Sequence, residues 1–86
     1  MANMSVSAVA DAVAKEIVYW CYHHHGSPRE CLMHHLENTD TYDMYVPPEY
    51  EKRYRRLMES PKTAAALDRA VQARLRKALA KAKSPW

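Results

Sequence analysis

The chain has a single glycine, Gly26, no phenylalanine and only two cysteines in 86 residues. One glycine excludes the phosphate-cradling loops of nucleotide-binding folds, whose fingerprints need several glycines for tight turns and close backbone approach. Without phenylalanine the apolar content rests on Ala, Val, Leu, Met, Tyr and Trp, a mixture that favours helices over sheets. Two cysteines fall short of the disulfide framework of a small secreted scaffold, so Cys21 and Cys31 are expected to be reduced thiols or metal ligands. No stretch approaches the ~20 consecutive apolar residues of a membrane span. The N-terminal stretch also lacks a basic flank ahead of an apolar block and cleavage site. These absences point to a cytoplasmic protein with no membrane partner.

Length and charge narrow the picture further. A chain this short buries only ~60% of the surface its unfolded form exposes, which leaves room for one core and one domain, 1–86. The net charge of +3 hides a division along the chain. Residues 1–51 carry two basic and eight acidic residues, a net −6, and residues 52–86 carry eleven basic and two acidic residues, a net +9. Such asymmetry suits an anionic partner, but neutralisation within the fold and head-to-tail pairing of copies use it equally well.

The periodicity predicts an all-α fold, a small bundle of about four helices over roughly 5–25, 28–38, 48–59 and 61–83, with an N-terminal helical hairpin. Val6, Val9, Ala10, Val13, Ile17, Trp20, Cys21 and His24 recur at spacings of three and four and form the expected inner face of the first helix. Val18, Tyr19 and Tyr22 fall on its outer side, as do Asp11 and Lys15, an i,i+4 pair. Gly26 is expected to stop this helix in a left-handed conformation. Ser27-Pro28-Arg29-Glu30 is the clearest local signal: Ser27 can cap the Glu30 amide, Glu30 can reach back, and Pro28 suits the first helical position. Residues 39–48, polar at the start and ending in Pro47-Pro48, read as an ordered, non-helical connector. The third helix should turn Tyr50, Tyr54, Leu57 and Met58 inward. Ser60 and Pro61 should cap the fourth, whose apolar stripe is Ala64, Leu67, Val71, Leu75, Ala78 and Ala82.

Three constellations carry chemistry. Cys21, His24 and Cys31, with His34 or His35, offer the two thiolates and two imidazoles of a closed zinc site. In a hairpin turning at Gly26 the two cysteines lie at equal distance from the turn and face one another, while the imidazoles approach from opposite directions. The alternative is that both cysteines pack as small hydrophobes while the histidines crowd a helix end, where the partial negative charge favours imidazolium. Cys31 in the first turn of a helix also has the environment of an activated thiol. No Asp or Asn is placed to orient a base and no glycine-rich stretch offers an oxyanion site, so an enzyme is not expected. The acidic residues between 37 and 51 match neither a calcium loop nor a two-carboxylate hydrolase.

The second constellation is basic. Lys62, Arg69, Arg76 and Lys83 recur every seven residues, flanked by Arg74, Lys77 and Lys81 and joined by Arg53, Arg55 and Arg56 of the preceding helix. This strip can track phosphates without reading bases, or simply keep the domain soluble. The third is a set of side chains suited to interfaces, Tyr19 and Tyr22 on the first helix with Tyr42, Met44 and Tyr45 in the connector. Either they form a docking surface, or another helix or a second copy of the chain covers them. Together these features favour a non-enzymatic binding or regulatory protein that docks on a protein partner. In size and style it is similar to the small phage and mobile-element proteins that inhibit host machinery, an analogy with no motif behind it. Sequence-independent nucleic-acid binding and a zinc-stabilised hairpin are the alternatives.

Overall fold

The computed structural model describes residues 6–24 and 26–82, all helices and short connections with no strand among them. Helix α1 spans Val6–His24, α2 Pro28–Glu37, α3 Glu51–Met58 and α4 Pro61–Lys81. The expected helix ends at Ser5, His25 and Lys83 lie outside the described residues. The connector, expected to be ordered and non-helical, is largely helical. It forms a 3-10 helix over Thr39–Tyr45 and a second over Pro48–Tyr50, separated by extended backbone at Val46 and Pro47. Its first turn closes because the Thr41 amide (3.1 Å) and the Thr41 hydroxyl (2.8 Å) both donate to the Asn38 carbonyl. Val46, ahead of Pro47, is held in the extended region that a following proline enforces.

The core is the meeting of α1 and α4, the most extensive helix pair in the molecule. Val9, Val13, Ile17 and Cys21 follow one another at four-residue intervals along α1 and are each fully buried. Leu67, Val71 and Leu75 repeat that interval on α4. Cys31 and Leu32 close one side from α2, and Ala10, Ala14 and Ala82 let the helices approach. Five alanines between Ala64 and Ala73, with further ones beyond, give α4 high intrinsic helicity and keep its buried stripe narrow.

Helix ends follow the local chemistry at Ser27 and depart from it at Ser60. Ser27 adopts an extended conformation and its Oγ accepts from the Glu30 amide at 3.3 Å, with Pro28 beginning α2 as expected. Ser60 occupies the same position before Pro61, but its side chain makes no capping bond; the Thr63 hydroxyl bonds back to the Leu57 carbonyl instead and ties α3 to α4. The left-handed conformation expected at Gly26 turns on its junction with His25, which lies outside the described residues; a Cβ at Gly26 would meet nothing within 4 Å. The outer face of α1 also differs in detail. Val18 is half-buried against the core, and Asp11 pairs with Arg74 of α4 at 2.9 Å rather than with Lys15. A guanidinium held by Asp11, by Ser7 Oγ at 3.1 Å and by the Ala70 carbonyl at 3.0 Å is better placed than a free lysine one turn away.

Candidate functional site

The thiol and imidazole residues separate into a buried set and an exposed set. Cys21 and Cys31 face one another across the hairpin as their equal spacing from the turn implies. They are joined as a disulfide with Cα atoms 5.5 Å apart, which corrects the expectation of two unlinked thiols. That separation lies within the range a disulfide accepts, and the fold creates it by bringing the last turn of α1 onto the first turn of α2. His35, one helical turn beyond Cys31, is also buried. One of its ring nitrogens and the two sulfurs all lie within 4.8 Å of one another. His24 and His34 are exposed: His24 packs on the Trp20 ring at a centroid distance of 3.9 Å, and His34 sits beside Asn38. The four-ligand set with His24 and His34 is therefore not assembled, because each projects from a helix surface away from the sulfurs.

His35 is held on both sides. Its Nδ1 lies 2.8 Å from Thr41 Oγ1, whose own proton goes to the Asn38 carbonyl, so Nδ1 is the protonated nitrogen and donates. Nε2 then carries the lone pair and faces the Tyr45 hydroxyl at 3.4 Å, and the two rings meet edge to face at 5.1 Å. Burial pushes the Tyr45 phenol pKa up.

The tyrosines and Met44 do not form one surface. Tyr42 is 1% exposed and is the largest fully buried side chain, so it belongs to the core and is removed from the expected partner-facing set. The 3-10 turn of the connector, which packs on α1 and α2, rotates it inward into the core, a placement that a polar-looking segment does not advertise. Its phenol pKa is raised to about 12, chiefly by burial and then by the nearby Asp68 carboxylate, with Arg76 opposing. Tyr45 is half-buried against His35 and the core. Tyr19, Tyr22 and Met44 remain exposed, and Tyr19 stacks on His23 at 4.2 Å.

Trp20 and His24 share the expected inner face of α1, yet both are exposed, Trp20 by 46%. Trp20 follows Val13 by seven residues and Ile17 by three, so it does lie on their side of the helix. The cover supplied by α4 and α2 stops short of it. Beside it lies a groove of about 390 Å³ between α1 and the connector, lined by Trp20, Met44, Tyr45, Val46, Pro47 and Pro48 together with Glu16 and Glu49. Sequence reasoning missed Trp20, Glu16, Glu49 and the two prolines as members of one site. The available signal was a tryptophan at the far end of an apolar stripe and a Pro-Pro pair that keeps the opposite wall extended. Met58, also expected inside, is exposed: α3 packs against the core with Tyr54 and Leu57 and buries no residue fully.

The basic strip is exposed at Arg53, Arg56, Lys62, Arg69, Arg76 and Lys77, while Lys83 lies outside the described residues. Arg53 approaches the Tyr50 ring at 5.6 Å. The opposed charge halves meet in the Asp11–Arg74 pair, and the other described ion pair, Glu51–Arg55, is a fully surface i,i+4 contact within α3. No helix among the described residues is long and apolar enough to cross a membrane. No protein-family model, curated protein or solved structure matches this chain.

Proposed function

We propose that this protein is a non-enzymatic regulatory module that docks on a protein partner through the uncovered end of α1. The observation that carries the reading is the exposure of Trp20, on the inward face of its helix, beside a groove whose lining joins apolar side chains to the carboxylates of Glu16 and Glu49. Tyr19 and Tyr22 are exposed near the same end of α1. Large rings that keep a polar tip give contact area at low entropic cost, the property that concentrates binding energy in Trp and Tyr. Glu16 and Glu49 set the chemistry of the occupant: a segment carrying an apolar side chain next to a lysine or arginine. Location in the cytoplasm belongs to the same proposal, and there Cys21 and Cys31 would be held as thiols.

The test is affinity capture from the native host with the wild-type chain and with the Trp20→Ala/Tyr22→Ala double variant, each checked for helical circular dichroism. A partner captured by the first and lost by the second, and lost again from Glu16→Lys, supports the reading. Undiminished capture by the folded double variant rejects it.

A second reading rests on the exposed basic strip, which suits sequence-independent binding of nucleic acid. Fluorescence anisotropy with labelled duplex and single-stranded DNA at two salt concentrations decides it. Phosphate contacts make the affinity fall steeply with salt, and absence of binding at low salt eliminates it.

A further inference from the structure

We infer that the reduced chain carries a metal site made by Cys21, Cys31 and His35, which takes a thiophilic divalent cation of the zinc type. Two thiolates and an imidazole are the donors such a cation selects. The three ligand atoms lie within 4.8 Å of one another and all three residues are buried, with Cys21 fully inaccessible. Helix geometry supplies two of them, since Cys31 and His35 are one turn apart on the same face of α2, and the hairpin brings Cys21 to meet them.

The surroundings of His35 independently favour a ligand. Metal-bound histidines almost always donate their second ring N–H to an oxygen, which fixes the tautomer and the ring plane. Here the relay from His35 Nδ1 to Thr41 Oγ1 (2.8 Å), and from Thr41 to the Asn38 carbonyl (2.8 Å), provides that support and makes Nε2 the unprotonated nitrogen, whose long 3.4 Å contact with the Tyr45 hydroxyl a cation would displace. A core histidine that served only for packing would not need so directed an anchor.

The metal and the disulfide exclude one another, because each sulfur either bonds its partner or binds the cation as a thiolate. Passage from one state to the other is balanced chemistry. A water-soluble phosphine reduces the disulfide, taking oxygen from water to become its oxide, while both cysteines become thiols. Cation binding then releases one proton from each thiol to the buffer.

The experiment uses the full chain reduced with phosphine under nitrogen and titrated with Co²⁺, a spectroscopic stand-in for Zn²⁺. One equivalent per chain is expected to give thiolate-to-cobalt charge-transfer absorption that one equivalent of Zn²⁺ abolishes. The absorption is lost in Cys21→Ser and Cys31→Ser, and His35→Gln weakens binding by at least about tenfold. Thr41→Val, which removes only the supporting hydroxyl, weakens it by roughly 10- to 100-fold. His24→Gln and His34→Gln leave it unchanged. Absence of charge transfer in the reduced wild type overturns the proposal, as does undiminished binding in His35→Gln. Wild type alone gives a second readout that needs no variant to fold: Zn²⁺ should protect both thiols from iodoacetamide, and equal alkylation with and without Zn²⁺ overturns the proposal too.

Discussion

Tyr42→Phe should stabilise this protein, and by an amount that grows with pH. The ring is 1% exposed, and its hydroxyl is buried with no hydrogen-bond partner among the described residues. A buried polar atom left unpaired costs about 1–3 kcal/mol, whereas deleting the oxygen keeps the ring in its packing. Allowing for imperfect refilling of the small space, the variant should gain about 1 kcal/mol at pH 7, which for a domain of this size raises Tm by roughly 4–8 °C. The pH dependence follows from the same burial. The phenol ionises near 10.0 when unfolded and at about 12 when folded. Above pH 10 the unfolded chain therefore gives up this proton first, and the wild type loses stability as pH rises until about 12 is passed. At pH 11 that loss is about 1.4 kcal/mol, and the variant, having no phenol at this position, escapes it. Urea unfolding followed by circular dichroism at pH 7, 9 and 11 measures both effects. A Tyr42→Phe variant less stable than wild type by more than about 1 kcal/mol at pH 7, or a gap that does not widen at pH 11, would refute the placement of an unpaired phenol in this core.

Four further substitutions probe other levels of the structure. Ile17→Ala removes a fully buried side chain from the α1–α4 contact and should cost about 2–5 kcal/mol in urea unfolding, with a corresponding fall in midpoint. Ser27→Ala deletes the one capping hydroxyl of α2 and should cost about 1 kcal/mol, while Ser60→Ala, whose hydroxyl caps nothing, should change the midpoint by much less. Asp11→Asn breaks an ion pair with a largely exposed carboxylate and should cost less than about 1 kcal/mol, an effect that thermal melts at about 0.5 M salt should erase.

The sequence was most readable where local chemistry and burial agree. The four-residue cadence of Val9, Val13, Ile17 and Cys21, answered by Leu67, Val71 and Leu75, marks both core stripes without reference to coordinates. Ser27-Pro28 marks the start of α2 within a residue. Equal spacing about the turn sets Cys21 against Cys31, although it does not disclose their covalent state. What escaped depends on contacts distant in sequence. Periodicity assigns Trp20 to the inner face, but whether anything covers that face is set by how far α2 and α4 reach. Tyr42 reads as a surface tyrosine because its neighbours are Thr41 and Asp43, and only the 3-10 winding of the connector turns it into the core. His35 outranks His24 and His34 as a ligand candidate because the same connector presents Thr41 to its ring.

The bridge between Cys21 and Cys31 has a bearing on how long the molecule survives. It joins residues ten apart, and closing so short a loop restricts the unfolded ensemble by something on the order of 3 kcal/mol in the chain-entropy picture. For a domain with so few buried side chains that is a sizeable part of its whole margin against unfolding. Cleaving the bridge without supplying anything in its place should therefore raise the fraction of time the backbone stands open to proteases, so that turnover of this protein would follow the redox poise of its surroundings.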